Sequence, residues 1–444
     1  MMKQRSILFF VLLTGTAFAP CISAAETPLM LTLEQALQLA KEKSVDLTLA
    51  HLTLDDFHSR YRQAIGGALP EIGLTATYSR NIQKPVAFFS GGKMEAGRDN
   101  GFDAAITAEQ PLYSGGKVLT TIRGARHGLH GQEKLLESTQ DDVALAVKSL
   151  FYGALLSSAT VAIERDNLSS AQEHLDTIRA RFRQGLDSDL TLRRQDVEVA
   201  NTSANLIRAK NLHEMALINL QELLTLDVDR PLQVLGVLAP PNKPAPPYET
   251  VSKMALQRHP GLQAAREQTQ VSDHLISIAL ANMKPKLSLF GSLEWVAQAN
   301  DLSPTADERA TVLIGGLKLS YPLFAGGSQW ESVRQARVAY QRDKEQEDRL
   351  ERAVRVDVRR QWLAITEALE RAKSQEEAVE EARLALKATE IRYRAGQANQ
   401  LELNDATFAL NRVRTLYIQA AHDYQVSLAS LERAAGGSLQ GVQP

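Results

Sequence analysis

Few residues in this chain have the types and spacing that chemistry requires. His127 and His130 stand three residues apart and would share one face of a helix, as two ligands of a metal ion can. No cysteine and no paired carboxylate accompanies them, so we expect no metal site there. The tetrapeptide SGGK occurs at 90–93 and at 114–117, but neither copy has the GxxxxGK[ST] spacing of a phosphate-binding loop. We therefore expect neither an enzyme nor a cofactor.

The chain instead contains two phrases that each occur twice. PLYSGG at 111–116 returns as PLFAGG at 322–327, and RFRQG at 181–185 returns as RYRAG at 392–396. Both pairs are separated by 211 residues, with 64 residues between the phrases in each copy. A fixed spacing of this kind indicates an internal duplication.

The N-terminus has the features of a secretory signal peptide. Lys3 and Arg5 precede an apolar stretch over 7–13, and small residues permit cleavage after Ala25. We therefore exclude 1–25 from the fold and expect an exported bacterial protein.

The cysteine content and the charge balance exclude other classes. Cys21 is the only cysteine, and Pro20 before it suits lipoprotein processing badly, which makes lipidation the weaker alternative. The chain after Ala25 has no thiol for a disulfide. Without Lys3 and Arg5, 48 basic residues stand against 52 acidic ones, which gives no reason to expect nucleic-acid binding.

The positions of proline indicate two long helical regions. Proline is absent between Leu112 and Arg230 and between Leu323 and Gln443, and it clusters at 231–260. A proline in a helix interior costs about 3 kcal/mol. Both regions carry apolar residues at 3,4 spacing, which is typical of helices that pack through a narrow seam, although an ordinary coiled coil has the same spacing. These residues are Leu168, Ala171, Leu175, Ile178 and Phe182, and then Val379, Ala382, Leu386, Thr389 and Tyr393.

Each helical region is interrupted near its middle by a glycine, Gly185 or Gly396. Glycine just after a helix end adopts the left-handed conformation at low cost and caps the C-terminus. Asp187 and Ser188 then offer N-cap residues for a returning helix. Each copy is thus predicted to be a long helix, a tight turn and a helix back. The helix over 117–183 would be about 100 Å long, which suits a protein that crosses the space between two membranes.

Alternating sequence precedes each PL-aromatic-x-GG phrase. Apolar and polar residues alternate over 72–79, 102–109, 287–295 and 313–321. Segments of about ten residues match the length of tilted membrane β-strands. The alternative is a soluble sheet, but such a sheet would need an apolar cover that the narrow helical stripes do not supply. We therefore favour four membrane strands per chain.

Four strands cannot close a barrel, because bacterial barrels start at about eight strands. Open sheet edges are not tolerated in lipid. The chain must therefore oligomerise if its strands span a membrane. The segments 81–101 and 296–311, rich in Gly, Asn, Asp and Ser, would then be the outer hairpin loops.

With these features the sequence resembles the TolC-type outer-membrane efflux proteins. The resemblance rests on LTLEQALQLAKEKSVDL at 31–47, the strand entries ALPEIGL and KPKLSLF, both PL-aromatic-x-GG phrases and both helical hairpins. It implies a mixed α and β membrane protein with internal duplication. Three chains would form a trimeric 12-stranded β-barrel, four strands from each, continued by a long α-helical coiled-coil barrel.

The resemblance also implies a function. The protein would be the passive duct of a tripartite efflux or secretion system, located in the outer membrane of a Gram-negative bacterium with a large periplasmic part. Its partners would be two further copies, outer-membrane lipid, a periplasmic membrane-fusion (adaptor) protein and an inner-membrane transporter, with no nucleic acid. The alternative is a soluble periplasmic coiled-coil scaffold or adaptor, which would carry one helical hairpin and an anchor instead of two hairpins.

In this family the turns after the long helices engage the adaptor. The matching residues are Gly185 and Leu186 in the first copy and Gly396 and Gln397 in the second. The family often has Val-Gly-Leu or Val-Gly-Thr here, so only the glycines and one leucine are retained. The strand-to-helix turns match Pro111, Gly115, Gly116, Pro322, Gly326 and Gly327.

Two acidic residues after the second turn ring the closed entrance in this family, and by position they match Glu402 and Asp405. Three copies would place up to six carboxylates around a narrow pore, and such rings select cations. The alternative is that both are solvated helix residues. The expected constriction also includes Tyr393, Thr191 and Arg194.

The polar links that hold the family's entrance shut are only partly retained. Tyr393 matches a tyrosine of these links. Thr191 stands where the family has an acidic partner, and Ala398 stands where it has a basic one. We therefore expect other contacts to close the entrance.

The expected organisation has five segments. These are the signal peptide 1–25, a first structural repeat 26–230, a Pro-rich linker 231–247, a second repeat 248–437 and a short tail 438–444. Each repeat is expected to contain a helix, two strands and a long helical hairpin. The sequence does not identify the exported substrate, because the transporter usually sets the specificity of such a system.

Overall fold

A computed structural model describes residues 28–84, 86–95, 97–238 and 246–439. The predicted signal peptide lies outside the described residues, as does most of the central part of the Pro-rich linker.

The first half of the chain contains short elements, strands and then a long helical hairpin. In order these are β1 (Leu29–Leu31), α1 (Leu33–Lys43), α2 (Val45–Gly66), β2 (Glu71–Arg80), β3 (Val86–Phe89), β4 (Gly92–Glu95), β5 (Asn100–Tyr113), α3 (Lys117–Arg183) and α4 (Asp189–Leu223).

The second half repeats this order. It contains β6 (Leu232–Val234), α5 (Tyr248–Arg258), α6 (Pro260–Ala281), β7 (Lys286–Ala299), β8 (Arg309–Ser320), α7 (Ser328–Arg394) and α8 (Gln400–Ala435). The helices match in length: α1 and α5 have 11 residues, α2 and α6 have 22, and α3 and α7 have 67. Equivalent residues differ by 215 from α1 to β2 and by 211 from α3 onward. The predicted duplication and both long hairpins are therefore present.

The four predicted long strands form one antiparallel sheet in the order β2-β5-β7-β8. Their register places all the alternating apolar residues on one face, as in the row Leu74, Ile106, Leu293 and Leu313. The adjacent row, Gly73, Thr107, Ser292 and Ile314, lies on the other face and is polar or small except at Ile314. Leu74 is 72% exposed and Leu313 is 80% exposed, so no described residue of the chain covers the apolar face.

The loops between the strands differ from the expectation. Strand β7 continues to Ala299 and β8 begins at Arg309, so the second loop is shorter than 296–311. The first loop contains a hairpin of its own, β3–β4, which the composition of 81–101 did not indicate. Lys84 pairs with Asp99 at 2.8 Å and closes the base of this hairpin, whose strands are exposed on both faces.

Each repeat has its own small core where short helices pack on the long ones. Phe151 and Val147 of α3 pack with residues of α1, α4 and the parallel β1–β6 pair. Val358 and Ile365 of α7 pack in the same way with α5 and α8. Charged pairs join the two repeats, because Lys148 of α3 lies 2.6 Å from the Glu432 carboxylate of α8.

Among the described residues, one helix is long and apolar enough to cross a membrane by length and composition, and it is α3. Val147 and Phe151 of this helix belong to the first core.

Candidate functional site

The two long hairpins turn through the same backbone geometry. Gly185 has φ of +72° and Gly396 has φ of +71°, the left-handed region that glycine adopts without strain. The Leu186 N–H donates to the Arg181 carbonyl at 3.0 Å, and the Gly185 N–H donates to Phe182 at 2.9 Å. This pair of bonds caps the helix C-terminus, and Gln397 and Gly396 repeat it. The conformation of both turns follows directly from the position of the glycine.

Side chains cap the returning helices at the same turns. Ser188 accepts a hydrogen bond from the Thr191 N–H, and Asn399 accepts one from the Glu402 N–H at 2.9 Å. Arg181 closes the first turn through an ion pair with Asp187 at 2.9 Å. Leu186 and Gln397 are exposed at the two turns.

Tyr393 lies at the meeting point of the two hairpins. It is 8% exposed, although it belongs to the last turn of α7. The Arg181 guanidinium of α3 lies 5.5 Å from the centre of its ring, a cation–π contact. Burial raises the pKa of the Tyr393 hydroxyl, and the charge of Asp187 raises this pKa further. The structure thus links Tyr393 to the first hairpin through an arginine.

The two expected carboxylates differ in their surroundings. The Glu402 carboxylate accepts from the Asn399 N–H as part of the helix cap and lies 3.4 Å from Arg392. Asp405 is exposed and forms no ion pair with another described residue. Both lie in the first two turns of α8. Asp405 is therefore the carboxylate whose charge is less compensated.

Thr191 and Arg194 make no link between the hairpins among the described residues. The Thr191 hydroxyl lies 2.9 Å from that of Ser188, within its own helix cap. Arg194 is exposed on α4. The departure at Thr191 therefore leaves Tyr393 without the acidic partner that the family resemblance implies.

A pair of glutamines joins the hairpins instead, and sequence reasoning missed it. The Gln400 Nε2 of α8 donates to the Gln195 Oε1 of α4 at 3.1 Å. Gln195 is 3% exposed and donates to the Ala171 carbonyl of α3 at 3.0 Å. The signal was present, since Gln195 and Thr202 lie on the 3,4 stripe of α4 that continues through Leu206.

A groove between α3, α4 and α8 continues from this link. Amide and hydroxyl side chains line much of it, namely Asn167, Gln195, Thr202, Asn205, Asn404 and Thr407. His174 of α3 also borders the groove, and burial lowers the pKa of its imidazole against the opposing effects of Glu390 and Glu173. The seam between the hairpins is therefore polar near the turns.

The strand-to-helix turns follow the predicted glycines. Gly115 and Gly116 have φ of +67° and +90°, and Gly326 and Gly327 have φ of +60° and +80°. A Cβ at Gly115 would lie 2.7 Å from the Ala281 carbonyl at the end of α6, whereas one at Gly326 would meet nothing within 4 Å. Pro111 lies at a register shift in β5, and Pro322 follows the end of β8. The first turn thus has a close neighbour that the second lacks among the described residues.

The two candidate metal-binding histidines have separate partners. His127 Nδ1 lies 2.7 Å from Glu267 of α6, and His130 Nδ1 lies 3.0 Å from Glu133 of its own helix. Within the described residues no group of three or more His, Cys, Asp or Glu is placed to hold a metal ion.

Comparison with known proteins gives a consistent result. The profile of the family described as outer membrane efflux protein matches residues 36–225 and 251–437. The chain is 24% identical to outer membrane protein TolC of Vibrio cholerae over 403 residues, 89% of each chain. It is also 24% identical to the alkaline protease secretion protein AprF of Pseudomonas aeruginosa, across 85% of this chain and 79% of that protein. The fold matches the crystal structure of the outer membrane protein VceC of Vibrio cholerae with a TM-score of 0.78 and 17% identity, across 91% of this chain and 96% of that one.

Proposed function

The chain belongs to the outer membrane efflux protein family, and we propose that three copies of it form a passive duct across the outer membrane and the periplasm. The observation that carries the proposal is the combination of the four-stranded sheet β2-β5-β7-β8 with the two 67-residue helices α3 and α7, which follow β5 and β8 in the chain. One sheet face is apolar and uncovered, and both edge strands lack a partner within the described chain.

The sheet supports an oligomer in lipid. An apolar face of this extent suits hydrocarbon, while an open edge in lipid leaves backbone groups unpaired at several kcal/mol each. Three copies supply twelve strands and remove the edges by pairing β8 of one copy with β2 of the next. A soluble scaffold, the alternative class, would expose the same face to water.

The length of the long helices is the argument for a periplasmic part of the duct. At 1.5 Å per residue, α3 and α7 are each about 100 Å long. We propose that the exposed turn residues Gly185, Leu186, Gly396 and Gln397 dock a periplasmic adaptor that connects the duct to an inner-membrane transporter. The secretion role printed for AprF belongs to that protein, and the exported substrate of this chain is left open.

The mass of the protein extracted in detergent from isolated outer membranes tests the duct. We expect a trimer in that fraction and cation-conducting channels when it is reconstituted in a planar bilayer. A monomer in the soluble periplasmic fraction would overturn the proposal and restore the scaffold. Adaptor docking is tested separately by Leu186→Asp, which should reduce adaptor co-purification while the trimer stays intact.

A further inference from the structure

We propose that His127 of α3 and His274 of α6 together bind one divalent transition-metal ion, of the class that imidazole ligands suit, such as Zn²⁺, Ni²⁺ or Cu²⁺. The site lies within one chain and joins a helix of the first repeat to a helix of the second. It is therefore independent of the trimer proposed above, and the two proposals can fail separately.

The two imidazoles are held close together by the contact between their helices. Their ring centres lie 5.2 Å apart, and the ring planes are tilted by 38°. A tetrahedral ion that binds one nitrogen from each of two imidazoles, at about 2.1 Å, holds the ring centres about 5 Å apart. The observed separation thus matches two ligands of one ion.

A glycine allows this close approach. Gly124 is buried on α3, one turn before His127, and a Cβ added there would lie 3.4 Å from the Cβ of His274. His274 therefore meets α3 at a position where the backbone leaves room for it. Because both histidines stand on packed helices, their separation is fixed more precisely than it would be on a loop.

Glu267 of α6 orients His127 for metal binding. Its carboxylate oxygen lies 2.7 Å from Nδ1 of His127. A carboxylate only accepts hydrogen bonds, so Nδ1 carries the proton, and Nε2 of the neutral imidazole presents its lone pair. Histidines that bind metals almost always donate their other N–H to a carboxylate, a carbonyl or water. Glu267 is thus a positioning residue of the site.

The charges around the pair suit a cation that arrives from solvent. Asp273 and Arg123 both act electrostatically on His274, with opposite signs. With Glu267, two acidic residues therefore stand against one basic residue. The side chains of His127 and Glu267 are 35% and 32% exposed, so an ion can reach the pair. Water completes the coordination, since the described residues offer no group of three His, Cys, Asp or Glu ligands.

The duplicated fold does not require histidine at either position. The counterpart of His127 in the second repeat is Val338, and the counterpart of His274 in the first repeat is Ser59. The sequence pattern singled out His127 but suggested His130 as its companion, because spacing reveals only neighbours on the same helix. The packing of α6 on α3 supplies the second ligand instead.

Copper binding by the purified protein in detergent, prepared without a histidine tag, tests the site. Cu²⁺ is the probe because it is the tightest binder among the divalent first-row metals, and its electron paramagnetic resonance spectrum reports nitrogen ligands. We expect one ion per chain, two nitrogen ligands in the spectrum and a higher midpoint of thermal unfolding. His127→Ala and His274→Ala should each weaken Cu²⁺ binding by about tenfold or more.

Glu267→Gln tests the positioning residue separately. The variant keeps an acceptor for Nδ1 of His127 but removes the negative charge. We expect Cu²⁺ binding to weaken by about tenfold while both nitrogen ligands remain in the spectrum, a result that a purely structural role for Glu267 would not give.

His130→Ala is the matched control. His130 stands on the same helix as His127 and contacts Glu133 and Arg126 of that helix, so its removal should leave the copper affinity and the spectrum unchanged. The unfolding midpoint without metal shows whether each variant is folded. Asparagine replaces alanine at either histidine if the alanine variant does not fold.

The outcomes decide the proposal in both directions. Weaker binding in both histidine variants, together with unchanged binding in the control, supports the site. It is overturned if the unmodified protein binds no Cu²⁺, if all variants bind equally, or if only one of the two histidine variants loses affinity. None of these results depends on the oligomeric state, which the detergent extraction measures.

Discussion

Gln400 of α8 and Gln195 of α4 are joined by an amide hydrogen bond of 3.1 Å, and this bond links the two hairpins a little above their turns. Gln195 is fixed in place by its bond to the Ala171 carbonyl. The link lies near Thr191 and Ala398, which stand where the family resemblance implies an acidic and a basic residue. Neither of these two side chains carries a charge. Opening of the proposed entrance by separation of the hairpins would have to break it.

Removal of this link should favour the open entrance. A net hydrogen bond contributes about 1 kcal/mol, which corresponds to about a fivefold change in an equilibrium. We expect Gln195→Leu to raise the open probability in planar bilayers by about that factor for each of the three copies whose link must break on opening. Asn201→Leu, an exposed change on the same helix, should have no such effect. Unaltered gating in an intact Gln195→Leu trimer would exclude the link from closure.

The two carboxylates near the second turn should contribute unequally to ion selectivity. Glu402 is paired with Arg392 at 3.4 Å and caps its helix, whereas Asp405 has no ion-pair partner among the described residues. We expect Asp405→Asn to reduce the preference for K⁺ over Cl⁻ more than Glu402→Gln does. Reversal potentials in a salt gradient measure this preference.

The double variant with both residues changed to alanine should reduce the preference further. If its reversal potential equals that of the unmodified channel, neither carboxylate lines the narrow part of the pore.

The ends of α4 and α8 allow a matched pair of stability tests. Gly436 has φ of +75°, and an added Cβ would lie 2.7 Å from the backbone carbon of Arg258. Gly436→Ala should therefore lower stability by about 1–3 kcal/mol. Thr225, its counterpart in the first repeat, has φ of +53°, so Thr225→Gly should relieve strain and raise stability by up to about 1 kcal/mol.

Thermal unfolding in detergent measures both variants. A midpoint that falls for Thr225→Gly would mean that the Thr225 hydroxyl bond to the Lys43 carbonyl, at 3.4 Å, outweighs the backbone strain.

The buried carboxylate of Asp343 should make stability depend on pH on the acid side. Burial alone would raise its pKa, but hydrogen bonds from Ser272, Gln268 and Arg342 outweigh burial and hold the pKa below its ordinary value. A carboxyl with a lowered folded-state pKa stabilises the fold above its unfolded pKa of about 3.9, and this contribution is lost as the pH falls through the folded pKa.

We therefore expect Asp343→Asn to flatten the decline of the unfolding midpoint between about pH 5 and pH 2. Asp348→Asn, at a half-buried neighbouring position whose carboxylate lies 3.6 Å from Lys344, serves as the control. An equally steep decline in the Asp343→Asn variant would show that other carboxylates dominate the acid response.

Much of the fold could be predicted because backbone chemistry determines it locally. Gly185 and Gly396 end the long helices where the sequence predicted, since the left-handed conformation favours glycine. The period-two alternation predicted four long strands, and the register then aligned Leu74 with Ile106. The β3–β4 hairpin was missed because its flanking Gly, Asn and Asp residues suggested only a loop.

The polar links were harder to predict, because they depend on which helix faces meet. Nothing local pairs Gln195 with Gln400, which are 205 residues apart. Tyr393 was singled out, but its contact with Arg181 depends on the packing of α7 against the first hairpin. The roles of Glu402, Asp405, Thr191 and Arg194 in a constriction stay predictions until the pore is measured.

The equal length of α3 and α7 constrains how such a protein can change over evolutionary time. One residue inserted into either helix would turn every later side chain by about 100° and lengthen that helix by about 1.5 Å. The side chains beyond the insertion would then no longer face the residues they pack against in the other repeat. The turns at the ends of the two hairpins would also lie at different distances from the sheet. A longer or shorter duct therefore requires coordinated changes in both halves of the gene, most readily in steps of about seven residues, near 10 Å each.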